Sequence, residues 1–142
     1  MNIVKAVEVI KRRFAETDGE VTIPLLKGGH FRAALTDEGI KVDNLGNQPL
    51  LPWEVFQEAV CVLIRSGGRA NRGNAMKSRL GEEDLSVDSI EGHIAQVVYG
   101  KRRGDAVFRR ITPVACILVW SGVCEAEPGE LILWQLQDPG DL

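Results

Sequence analysis

The chain has 142 residues, 44% of them hydrophobic, with 17 Lys or Arg against 20 Asp or Glu, so it is long enough to bury a core and too apolar to stay disordered. No apolar run reaches the roughly 18 residues of a membrane span, and Lys5, Lys11, Arg12 and Arg13 interrupt the first segment where a secretory leader would be apolar; the expectation is a cytoplasmic protein without membrane contact. The formal net charge of −3 excludes a uniformly basic nucleic-acid binder, but the charge is segregated: residues 65–110 hold ten Lys or Arg against six Asp or Glu, and the rest of the chain holds seven against fourteen.

Ile3, Val7, Ile10 and Phe14 recur at helical spacing and predict an amphipathic helix over residues 2–16, ended by Asp18-Gly19. Val21 to Leu26 reads as a short strand that Pro24 confines to a sheet edge. Phe31 to Leu35 and Ile40 to Leu45 flank Thr36-Asp37-Glu38-Gly39, a hairpin pattern, and Asn44 to Pro52 has the composition of a linker. Pro52 suits the first position of a helix carrying Phe56, Ala59, Val60, Leu63 and Ile64 on one face, which stops at Gly67-Gly68. A short extended piece follows, then a short helix capped by Asn71 or Asn74 and ending at Leu80-Gly81.

Asp88 and Glu91 form a capping-box pattern ahead of Ile90, Ile94, Val97 and Val98, which Gly92 weakens without forbidding. After the basic loop Lys101-Arg102-Arg103-Gly104, the preferred reading is a helix from Asp105 to Ser121, kinked at Pro113, with Arg109 and Arg110 pointing away from its apolar face. The alternative is a fresh start with Thr112 as cap and Pro113 as first residue. In another parse, Val97 to Tyr99 and Ala106 to Ile111 are strands and the basic loop is the tip between them. Val114 to Trp120 is apolar on every side, so a second surface must cover it, either the N-terminal element or another copy of the chain. Two strand-like pieces joined by Pro128-Gly129 close the order.

Catalytic signals are weak. Glu8 with Lys11 and Glu38 with Lys41 lack the second carboxylate of a nuclease metal site, and His30 and His93 stand alone, with His93 expected on a helix surface or facing a groove. Cys61, Cys116 and Cys124 show no CxxC pairing and read as buried thiols, Trp53, Trp120 and Trp134 read as core, and no phosphate-loop spacing is present; no cofactor or metal is expected. The cations carry the functional expectation. Arg109 and Arg110 near the start of a helix can reach guanine edges or phosphates, and Lys101, Arg102 and Arg103 can follow a phosphate backbone. Arg69, Arg72, Lys77 and Arg79, with Asn74, surround the start of the short helix, where free N–H groups can also hold phosphate.

Residues 52–133 resemble the winged-helix domain at the N-terminus of Mrr-type restriction proteins. The similarity lies in the helix running into Gly67-Gly68-Arg69-Ala70, in Leu80-Gly81-Glu82-Glu83-Asp84-Leu85, in Ile117-Leu118-Val119-Trp120-Ser121-Gly122-Val123 closing the recognition helix, and in Glu127-Pro128-Gly129-Glu130-Leu131 as the wing. Two departures stand out: the hairpin carries Glu125, Glu127 and Glu130 and so repels phosphate, and the stretch from Asp84 to Asp105 lengthens the family spacing. The resemblance implies an α+β winged-helix fold that binds DNA without catalysis, and a restriction role does not follow from it; the expected function is that of a regulator or a restriction-associated DNA reader. The expected organisation is an N-terminal helix and hairpin over residues 1–48 and a winged-helix domain over residues 49–142, with double-stranded DNA and a second copy of the chain as candidate partners. The competing reading is a protein-interaction module of the same shape, docking through the acidic hairpin.

Overall fold

The computed structural model describes residues 2–134, which build a mixed α+β fold with two antiparallel sheets. Helix α1 (Ile3–Ala15) starts where the Asn2 side chain accepts from the Lys5 N–H at 2.8 Å, and it buries Ala6, Val7, Ile10 and Phe14, the predicted stripe with Ala6 in place of Ile3. Strands β1 (Glu20–Pro24), β2 (His30–Leu35), β3 (Gly39–Val42) and β4 (Leu50–Pro52) form a meander in that spatial order, so β1 lies at an edge as expected but ends at Pro24, short of Leu26. The stretch 44–52 is more than a linker, because Leu50 to Pro52 pairs with β3. That pairing depends on Gly39: a β-carbon there would lie 2.1 Å from the Leu51 carbonyl oxygen.

Pro52 caps helix α2 (Trp53–Arg65), whose buried residues Val55, Phe56, Ala59, Val60, Val62 and Leu63 sit at the centre of the molecule. Strand β5 (Arg69–Asn71) follows, then helix α3 (Ile90–Val97), helix α4 (Ile111–Trp120) and the hairpin β6 (Cys124–Glu127) and β7 (Glu130–Leu133). Strand β7 lies between β5 and β6 in the second sheet. Buried side chains of α1, the first sheet, α2, α4 and the second sheet belong to one continuous core. The β1 strand and α1 pack near α4, and Phe14 meets Trp120 edge-on at 4.9 Å. The N-terminal element therefore covers the back of α4, which buries Ile111 and every residue from Pro113 to Leu118.

Four local expectations fail, for physical reasons. Residues 74–80 form turns and no helix: the Asn74 carboxamide accepts from the Met76 and Lys77 N–H groups, but the chain is then drawn away to pair with residues 104 and 105. Helix α4 begins at Ile111, not Asp105, with Pro113 in its first turn, where an N–H has no intrahelical partner to lose. Ser89, not Asp88, caps α3 by accepting from the Gly92 N–H at 3.1 Å, which leaves the Glu91 side chain for another task. Residues 97–99 and 106–111 are not strands. Among the tryptophans, Trp53 and Trp120 pack against the core, but Trp134 is exposed; Cys116 and Cys124 are buried, while Cys61 is half-buried.

Candidate functional site

The long segment between β5 and α3 is held down by Leu80 and Leu85, both buried, and by backbone bonds from Asn74 N–H to the Asp84 carbonyl at 2.7 Å and from Gly81 N–H to the Leu85 carbonyl at 2.9 Å. It is also tied to the loop after α3. The Leu80 N–H donates to the Asp105 carbonyl at 3.0 Å, the Gly104 N–H donates back to the Leu80 carbonyl at 2.8 Å, and the Arg79 guanidinium reaches the Gly104 carbonyl at 3.2 Å. The Arg103 stem crosses Gly81, where a β-carbon would lie 3.2 Å from its Cγ.

These bonds place Lys77, Arg79, Lys101, Arg102 and Arg103 on two joined loops, all exposed and none in an ion pair among the described residues. The nearby acids are directed elsewhere. The Glu82 carboxylate accepts from the Arg79 backbone N–H, and Asp105 accepts from the Arg102 backbone N–H at 2.8 Å. Both therefore stabilise loop backbone and leave the cationic heads without a carboxylate partner among the described residues.

The other predicted site residues are not part of this cluster. Arg69 is bound by the Glu130 carboxylate across the β5 and β7 pair at 2.8 and 3.3 Å, and Asn74 spends its side-chain oxygen on its own turn. Arg110 is buried and cannot meet a groove. Its guanidinium carbon lies 3.6 Å from the centre of the Tyr99 ring and 4.7 Å from that of Phe108, and it donates to the Gln48 side chain at 2.7 Å. Its backbone N–H donates to Glu91 Oε1 at 2.6 Å, so Glu91 of α3 caps α4 from nineteen residues away. Burial raises the Glu91 pKa to about 7 against the opposing effect of the Arg110 backbone N–H and of the Arg110 charge. His93 is also buried, not on the surface, 2.8 Å from Glu58 of α2.

Arg72 and Arg109 face a cavity of about 680 Å³ between the β1–β2 hairpin tip, the end of β5, the first turn of α4 and the Pro128-Gly129 turn. Lys27 lines it too, from the hairpin tip; sequence reading missed this residue, whose one signal is a cation between Leu25-Leu26 and the turn glycines Gly28-Gly29. Strand β1, which leads into the tip, packs against α4, and burial raises the pKa of the Cys116 thiol beneath it. Compared with protein-family models, curated proteins and solved structures, the chain finds no significant match.

Proposed function

We propose that the protein binds double-stranded DNA without catalysing a reaction, through a winged-helix unit over residues 49–142 that grips phosphate with its loops. The order α2, β5, α3, α4, β6, β7, with β7 between the other two strands and a hairpin at the end, supports the winged-helix reading. The single observation that carries the DNA reading is the pair of hydrogen-bonded loops with five exposed cations, none in an ion pair among the described residues. Helix α4 is not the reading element in this proposal, since its side chains are spent on the core. A salt titration tests the proposal. Duplex affinity falls steeply with salt, and Lys101→Ala, Arg102→Ala and Arg103→Ala together remove most of it and flatten the slope by about 2–3. Absence of duplex binding at low salt refutes it.

One observation favours a second reading, a protein-docking role for the hairpin. Strand β6 is a sheet edge whose Glu125 and Glu127 are exposed, while Glu130 is held by Arg69. Under that reading Glu125→Lys with Glu127→Lys abolishes capture of a basic partner and leaves duplex affinity no weaker.

A further inference from the structure

We infer that the cavity under the β1–β2 hairpin tip binds a nucleoside monophosphate. Three cations line it from segments far apart in the chain, Lys27, Arg72 and Arg109, and none is in an ion pair among the described residues. Arg72 is half-buried, with its backbone fixed at both ends: its N–H donates to the Gly129 carbonyl at 2.8 Å and its carbonyl accepts from the Glu91 N–H at 2.9 Å. An unpaired guanidinium on a fixed backbone is prepared for an anion, and the planar fork of Arg suits phosphate oxygens. The start of α4 adds little, because Glu91 already accepts from the Arg110 N–H and places a carboxyl group there, so anion recognition falls on side chains.

Two further features narrow the ligand from any anion to a nucleotide. Glu83 and Asp84 also line the cavity; carboxylates repel a bare phosphate but accept from hydroxyl and amino groups, so the ligand carries donors as well as negative charge. Leu25, Ile111 and Ala115 supply apolar wall for a base. At about 680 Å³ the space is that of a small-molecule site and much larger than inorganic phosphate requires.

The inference does not rest on the DNA reading, and one set of variants separates them. Calorimetric titration of the full chain with adenosine, guanosine, cytidine and uridine monophosphates is expected to give binding for at least one, with the matching nucleoside and inorganic phosphate each weaker by about tenfold or more. Arg72→Ala and Arg109→Ala each weaken it about tenfold or more with an unchanged circular dichroism spectrum, whereas the triple alanine variant at 101–103 leaves it intact while losing duplex affinity. Lys27→Glu, on the exposed hairpin tip, repeats the loss without touching the second sheet. Failure of all four nucleotides to bind below about 5 mM, or affinity indifferent to Arg72, Arg109 and Lys27, overturns the inference.

Discussion

Gly92→Ala gives a sharp test of how α3 is seated. In an open helix this substitution stabilises by about 1 kcal/mol, because alanine loses less backbone freedom than glycine. Here an added β-carbon would stand 2.0 Å from the Ser86 carbonyl oxygen and 2.9 Å from both the Ser86 carbonyl carbon and the Ser89 Oγ. Real β-carbons stay beyond 3.0 Å, so residues 86–89 must move by about 1 Å or α3 must tilt. Neither adjustment is local: Ser89 caps α3 through the Gly92 N–H, and Glu91, one residue away, caps α4. Overpacking at backbone typically costs about 1–3 kcal/mol, and loss of a cap adds about 1 kcal/mol, so the clash outweighs the propensity gain. The expected net result is destabilisation of about 2 kcal/mol, read by urea unfolding followed by far-UV circular dichroism as a lower midpoint at unchanged slope. An alanine variant as stable as the parent, or more so, would refute the packing of α3 against residues 86–89.

The adjacent arginines should behave oppositely. Arg110→Ala leaves two aromatic faces and the Gln48 amide without their cation and is expected to cost about 2–4 kcal/mol, while Arg109→Ala changes stability by less than about 0.5 kcal/mol; equal effects in urea unfolding would contradict the burial of Arg110. The Glu91 pKa of about 7 lies above its ordinary 4.5, so between these values the native protein keeps a proton that the unfolded chain has released. That stabilisation, at most about 3 kcal/mol, is fully present below the ordinary value and is lost as pH rises through 7; Glu91→Gln should flatten this part of the stability profile, and an unchanged profile counts against a protonated Glu91. Trp53→Phe removes the bond from the indole N–H to the Asp37 carbonyl at 3.0 Å, with an expected loss of about 1 kcal/mol; a variant as stable as the parent argues against that bond.

What the amino-acid order disclosed and what it concealed divide by the range of the interactions. Ile3, Val7, Ile10 and Phe14 repeat within one helix, and Pro128-Gly129 turns within one hairpin, so both elements could be read locally. Three of the misplaced features depend on distant partners. Strand β4 is three residues long and exists because Leu50 to Pro52 finds β3. The Arg110 side chain turns inward because Tyr99, Phe108, Gln48 and Glu91 receive it, and no periodicity around Arg109-Arg110 announces them. The basic loop was visible as Lys101-Arg102-Arg103, but its union with Arg79 arises from backbone bonds spanning more than twenty residues. The cavity was the least readable feature, since its cations stand at 27, 72 and 109.

The all-round apolarity of residues 114–118 connects these outcomes. A helix exposed to a DNA groove needs a polar outer face, and this one has none to offer, so the N-terminal sheet must cover it for the fold to be stable. Covering it brings Lys27 on the hairpin tip to the same cavity as Arg72 and Arg109. The same burial that removes α4 from the surface thus borders the cavity beside its first turn, and leaves the joined loops at 74–82 and 101–105 to carry the exposed cations. A large ligand and a small one would then meet different residues, which is why the substitutions at 101–103 and at 72 and 109 are expected to act independently.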